Sequence, residues 1–212
     1  MGNLIVRIKK KLSNEIINFR HWYSYEIKLR KAVSNAGFTI LASNCIGGIV
    51  YHSLKMQFLS PTVNLWMIEK DFQKFCFDIR YYVDQKLTFI ESDKAFPVAE
   101  LGEEDKKITI YFMHYKSSEE AEEKWYLRTK RINYENLYII ASDIDMSEED
   151  VRKWSQMKCS NLVVFTDKDY EGISYTFKLR RINRYVMDFY NKGNGIRYVE
   201  YAFDFADFLN KY

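Results

Sequence analysis

A chain of 212 residues, 47% hydrophobic and 29% charged, is long enough for one large α/β domain and too apolar to stay disordered. A net charge of +3 is too small to mark a nucleic-acid binder, and neither zinc-finger spacing nor an RNP-type aromatic strand occurs. Three separated cysteines (Cys45, Cys76, Cys159) and three histidines (His21, His52, His114) form no disulfide framework and no metal-ligand pattern.

The cysteine usage fits a reducing compartment, and no run reaches transmembrane length or forms a signal-peptide core, so the expected location is the cytoplasm. Two prolines and eight glycines argue against long linkers. The 17 Tyr and 15 Phe read first as core rings, and second as rings lining a groove for a flat or sugar-like ligand.

In chain order, residues 3–34 read as one or two helices with apolar Leu4, Ile5, Ile8, Leu12, Ile16, Ile17 and Phe19. Up to Lys31 this stretch carries Arg7, Lys9, Lys10, Lys11, Arg20, Lys28, Arg30 and Lys31 against Glu15 and Glu26. The first reading is a docked helix with a solvated basic face. The second is peripheral contact of residues 3–31 with an anionic membrane, where Trp22 and Tyr23 would sit at the interface. Residues 1–35 are thus expected to be an amphipathic helical segment ahead of a single α/β domain over 36–212.

Phe38 to Ala42 is a short apolar run followed by the polar turn Ser43-Asn44-Cys45, and helical spacing begins at about Ile46. A strand feeding its crossover helix is the expectation. Phe58 to Trp66 is an ordered, proline-broken loop able to fold back over that turn. Ile68 to Tyr82 reads as one helix with Cys76 on its apolar stripe; Leu87 to Ile90 and Pro97 to Leu101 read as a hairpin or edge strands.

Ile108 to Tyr115 reads as a second strong strand ending at His114, and Ser117 with Glu120 opens a helix to about Ile132. Leu137 to Ala141 is the next strand, and Ser147 caps a helix from about Glu148 to Met157. Asn161 to Phe165 and Tyr175 to Leu179 are further strands, and Ile182 to Tyr190 is helical. Asn191 to Gly195 is a turn, and Ile196 to Val199 and Ala202 to Asn210 close as strand and helix. This alternation predicts a three-layer α/β sandwich, its central sheet mostly parallel and covered by helices on both faces.

Ligands of open parallel sheets bind beyond the carboxyl ends of the strands. Those ends carry Asn44-Cys45, His114, Asp143 with Asp145, and Thr166-Asp167, a thiol, an imidazole and carboxylates on one rim. At a helix N-terminus Cys45 is expected to have a lowered pKa, with His114 as its base. Asn44, Gly47 and Gly48 would surround an oxyanion. His52 lies two turns along the same helix, about 10 Å away at 1.5 Å per residue. Trp125, Arg128 and Arg131, at i, i+3 and i+6, form a second candidate set for a phosphate or carboxylate, and the ordinary alternative is an exposed basic helix end. Lys178, Arg180, Arg181 and Arg184 read as a solvated basic face. The plainer alternative for Cys45 is a small buried hydrophobe at a strand end.

Ser43-Asn44-Cys45-Ile46-Gly47-Gly48, Phe58-Leu59-Ser60-Pro61-Thr62-Val63-Asn64-Leu65, His114-Tyr115, Glu120-Ala121-x-x-Lys124-Trp125 and Arg131-Ile132-Asn133-Tyr134-Glu135-Asn136-Leu137 carry a resemblance. They resemble an uncharacterised bacterial family often labelled exopolysaccharide or capsule biosynthesis protein. The likeness covers most of the chain after Gly37 and leaves out the N-terminal helix.

The Asn44-Cys45 turn is also similar to the start of capsule proteins with an acetyltransferase-like, coenzyme-A-binding α/β fold. A more distant similarity is to papain-like cysteine peptidases that pair a Ser-Asn-Cys turn with a later His and an Arg-rich helix. Residues 46–48 lack the Gln that follows the Asn-Cys pair in the coenzyme-A-binding group. The first likeness implies acyl transfer to a sugar, with coenzyme A or an acyl-coenzyme A as the cofactor. The second implies thiol-dependent hydrolysis. A different class of reading is a non-catalytic protein that holds a nucleotide-sugar or glycan. In each case the partner is a small-molecule or sugar ligand.

Overall fold

The structure, a computed structural model, describes residues 2–157, 159–179 and 197–211, with side chains from Lys10 onward. Helix α1 (Gly2–His21) passes through a π-helical turn (Trp22–Glu26) into α2 (Ile27–Ala32). Strand β1 (Thr39–Ala42) leads to α3 (Ile46–Leu54), and a strap over 56–67 leads to α4 (Glu69–Phe77) and α5 (Ile79–Asp84). Three strands follow, β2 (Thr88–Ile90), β3 (Val98–Leu101) and β4 (Ile108–Tyr111), and then α6 (Ser118–Thr129). After β5 (Leu137–Ser142) come α7 (Glu148–Lys153), β6 (Leu162–Thr166), β7 (Thr176–Lys178), α8 (Tyr198–Ala202) and α9 (Phe205–Leu209).

The main sheet has the order β1-β5-β6-β7 with every pairing parallel. Strands β1, β5 and β6 are apolar at almost every position because both faces are covered. Leu41, Ile139, Ala141, Leu162 and Val164 face one core, shared with α4, α6 and Trp154. Ile40, Ala42, Tyr138, Ile140, Val163 and Phe165 face the other, shared with α2, α3, α8 and α9. Alternate residues of one strand thus enter opposite cores, as the two-residue period of a strand requires. The result is a three-layer α/β sandwich preceded by the N-terminal helix.

Strand β4 departs from expectation. It pairs with β3, and β3 with β2, in a separate antiparallel sheet, so His114 does not leave a strand of the parallel sheet. Burial along β4 alternates, as a strand with one solvent-facing side should, and Ile108-Thr109-Ile110 already alternates in sequence. The expected helix over 68–82 is two, broken at Asp78 (φ −140°, ψ 53°). Tyr198 and Val199 begin a helix rather than end a strand, because the Glu200 carboxylate accepts from the Arg197 backbone N–H at 2.8 Å and caps it. Phe203 and Asp204 then separate α8 from α9. The expected helix over 182–190, the turn over 191–195, Ile196, and Arg180, Arg181 and Arg184 lie outside the described residues.

Candidate active site

β1 is an edge strand, and its open side is closed by hydrogen bonds from the segments that follow it. The Tyr51 hydroxyl accepts from Ile40 N–H at 2.9 Å and donates to Phe38 O at 3.0 Å. The Thr62 hydroxyl accepts from Ala42 N–H at 3.0 Å, and Met67 N–H donates to Ser43 O at 2.9 Å. The 56–67 strap therefore runs back along β1 and over the start of α3, and the strand's polar edge is satisfied without a further strand.

At the end of β1 the Asn44 side-chain oxygen accepts the Ile46 N–H at 3.0 Å, taking the first free amide of α3. Cys45 is the N-cap residue, its thiol makes no capping bond, and its carbonyl accepts from Ile49 N–H at 3.1 Å. The two amides between, those of Gly47 and Gly48, precede the first residue able to bond within the helix. The glycines serve packing as well. A Cβ on Gly47 would lie 3.3 Å from Ala42 Cβ and Ile40 Cγ2, and one on Gly48 would lie 3.1 Å from Val63 Cγ1. Gly47 lets α3 sit close on β1, and Gly48 lets the strap cross the helix start. Of the two, only Gly48 lines the cleft described below.

The strap also delivers the imidazole. Trp66 pairs with Tyr111 as an antiparallel bridge (N–H to O distances of 2.8 and 2.9 Å), which ties the strap to the end of β4. Two turns of hydrogen bonding, Met113 N–H to Tyr111 O and Tyr115 N–H to Phe112 O, bend the chain there. The Tyr115 hydroxyl donates to Val63 O at 3.0 Å. Arg128 Nη1 donates to the same carbonyl at 2.9 Å and to the Tyr115 oxygen at 2.6 Å. His114, held between these anchors, places Nε2 3.2 Å from Cys45 Sγ. A thiol at a parallel-strand end thus meets an imidazole from a different sheet.

Cys45 is half-buried, and burial pushes its thiol up. The expected lowering at the helix end is not what this environment yields, since desolvation penalises the thiolate. The sulfur and the imidazole nitrogen stand within hydrogen-bond range, and the sense of the bond follows the imidazole tautomer.

Glu69, in the first turn of α4, was not singled out in the sequence. It is 7% exposed and stands at the ends of β1 and β5. It accepts from the hydroxyls of Ser43 and Ser142 at 2.7 and 2.6 Å and from Ser142 N–H at 3.2 Å. Burial pushes its carboxyl up to about 7, against the pull of those three bonds. The only sequence signal was a serine at two successive strand ends, Ser43 and Ser142, with an acid free to reach both.

A cleft of about 1430 Å³ opens over this corner, lined by Asn44, Cys45, Gly48, His52, Glu69, His114 and Asp145. Its apolar wall includes Trp22, Phe58, Trp66 and Phe96. Residues 18–26, the end of α1 and the π-helical turn, also line it through Asn18, His21, Trp22 and Glu26. His21 is pinned there, 3.2 Å from Glu26 and 3.0 Å from Glu200.

Other candidates fall elsewhere. Asp143 accepts from the Tyr170 hydroxyl at 3.1 Å, and burial, with Asp167 nearby, raises its carboxyl. Neither Asp143 nor the exposed Asp167 lines the cleft. Trp125 is core, 1% exposed, and its indole N–H has no hydrogen-bond partner among the described residues. Arg128 is 8% exposed and committed to the strap, over the Phe58 ring at 5.2 Å. Arg131 reaches Phe58 O at 3.4 Å. Arg128 and Arg131 brace the strap, Trp125 fills the core, and none of the three lines the cleft. Cys76 is core, and Cys159 donates to Leu137 O at 3.4 Å.

Residues 11–210 match the family described as a domain of unknown function, DUF1919. The chain belongs to that family. An uncharacterized protein of Haemophilus influenzae is 33% identical over 199 residues, which cover 92% of this chain and 94% of the relative. The family match begins at residue 11, so most of α1 lies inside it, whereas the sequence resemblance stopped short of that helix.

Proposed function

We propose that this DUF1919 protein is a thiol-dependent acyl-transfer enzyme acting on a sugar, with Cys45 as nucleophile and His114 as base. The observation that carries the reading is the 3.2 Å contact between Cys45 Sγ and His114 Nε2 on the wall of a large cleft. A side chain at the N-cap lies beside the second and third amides of its helix, which is how a capping serine bonds them. An acyl carbon attached to Cys45 Sγ would therefore carry its oxygen next to Gly47 and Gly48 N–H.

In the proposed cycle His114 Nε2 takes the thiol proton as sulfur attacks the acyl carbonyl. The oxyanion collapses, the leaving group departs with the proton from His114, and a thioester remains on Cys45. A sugar hydroxyl then attacks the thioester, gives its proton to His114, and restores the thiol as the acyl product leaves. Water in place of the sugar gives hydrolysis, the second reading. The rings of Trp22, Phe58, Trp66 and Phe96 suit the apolar face of a sugar. The setting in cell-surface polysaccharide assembly rests on the sequence resemblance. So does coenzyme A as donor, because Arg128 and Arg131 hold the strap instead of facing the cleft.

Intact-mass analysis after incubation with p-nitrophenyl acetate tests the reading. A covalent acetyl group is expected on Cys45, lost in Cys45→Ala and formed at least 100-fold more slowly in His114→Gln, as for loss of a general base. Acetylation of Cys45 at the same rate in His114→Gln, or no faster than at Cys159, sinks it. Faster loss of the acetyl group on adding sugars, with acetyl-sugar as product, separates transfer from hydrolysis.

A further inference from the structure

Among the described residues, helix α1 is solvent-exposed over the second half of its length. From Lys10 to Arg20 every side chain but that of Ile17 is exposed. Leu12, Ile16, Phe19 and Tyr23 are 53, 53, 62 and 67% exposed, and their i, i+4, i+7, i+11 spacing puts them on one stripe. The stripe is continued by rings. Phe19 lies 5.7 Å from Trp22 and 6.5 Å from Tyr23, and Trp22 also lines the cleft. A docked helix with only its basic face in water is therefore not what the fold builds.

We propose that α1 lies in the surface of an anionic membrane, its stripe in the acyl boundary and its bases among the headgroups. The charge pattern selects this occupant. Arg7, Lys9, Lys10 and Lys11 precede the first acid of the chain, Glu15, and Lys28 and Lys31 follow on the exposed side of the next helix. Two copies packed stripe to stripe in parallel would bring these bases together, whereas anionic headgroups complement them. The surface potential extends about 8 Å at physiological salt, approaching the width of a helix, so bases on either side of α1 contribute. Among the described residues no helix is long and apolar enough to cross a membrane, which leaves the surface-lying mode. Because Trp22 belongs to both stripe and cleft wall, docking sets the cleft mouth at the lipid surface. None of this depends on Cys45 chemistry.

The test is co-sedimentation of the full chain with vesicles of phosphatidylcholine alone or mixed with phosphatidylglycerol. Binding is expected to the mixed vesicles only, and to fall as salt rises. Each basic residue near an anionic surface contributes about fivefold in partition, so Lys10→Gln with Lys11→Gln should weaken binding roughly 10- to 25-fold. Leu12→Glu with Phe19→Glu should abolish it. Melting temperatures should not move in either variant, since these side chains touch no core. Equal sedimentation with and without phosphatidylglycerol, or unchanged binding in both variants, overturns the proposal. So does a concentration-dependent dimer that Leu12→Glu with Phe19→Glu dissolves while vesicles bind nothing.

Discussion

Two helices of this protein carry aromatic and basic residues at helical spacing, and the fold treats them in opposite ways. In α6, Trp125 and Arg128 are buried and the guanidinium is consumed by a backbone carbonyl and a tyrosine. In α1, Leu12, Ile16, Phe19, Lys10 and Lys11 are exposed. In sequence the first read as a candidate ligand site or an exposed basic helix end, and the second as a docked helix or, second, a helix in contact with a membrane. The lesson is that composition on a helix face does not say which side of the protein it will meet. A permanently charged guanidinium is buried where a neighbouring loop offers enough acceptors, and here the 56–67 strap does so through Val63 O.

Arg128→Met should break this contrast most strongly. It leaves Val63 O with one donor fewer and the Tyr115 oxygen without its cation, at a cost of about 2–4 kcal/mol and a fall in melting temperature of roughly 10 °C. Because the same bonds hold the backbone next to His114, acetylation of Cys45 should slow as well, read by the same mass assay. A melting temperature within a degree or so of the parent would mean that the brace is dispensable.

Glu69→Gln sharpens the comparison with a buried acid. The carboxyl goes from an ordinary value of 4.5 to about 7 on folding, so the native state holds its proton more tightly than the unfolded chain. Its contribution to stability is complete below the unfolded value and is lost as pH rises through about 7. The loss is on the order of 3 kcal/mol for a shift of this size. Denaturant titrations from pH 4 to pH 8 should show this decline in the parent and a flatter profile in Glu69→Gln. Parallel profiles would remove Glu69 as the source. The smallest effect belongs to α1: Leu12→Ser with Phe19→Ser should leave stability within about 0.5 kcal/mol of the parent, as for surface changes that touch no partner. A drop of several degrees in melting temperature would show that α1 packs on the body after all.

The sequence by itself determined the elements that are local. The apolar runs of β1, β5 and β6 announced strands covered on both faces, and Ser117 and Ser147 marked helix starts that their hydroxyls do cap. It also singled out Cys45 and His114, which stand 3.2 Å apart. The route between them was misread, because which strands pair is a long-range choice and β4 joined a second sheet. Only the tertiary structure decided three further things. It turned Arg128 inward, raised the Cys45 thiol through burial, and gathered Ser43, Glu69 and Ser142, residues 26 and 73 apart in sequence from the acid, around one buried carboxyl. Burial and hydrogen-bond partners are sums over neighbours distant in the chain, and a local pattern holds no record of them.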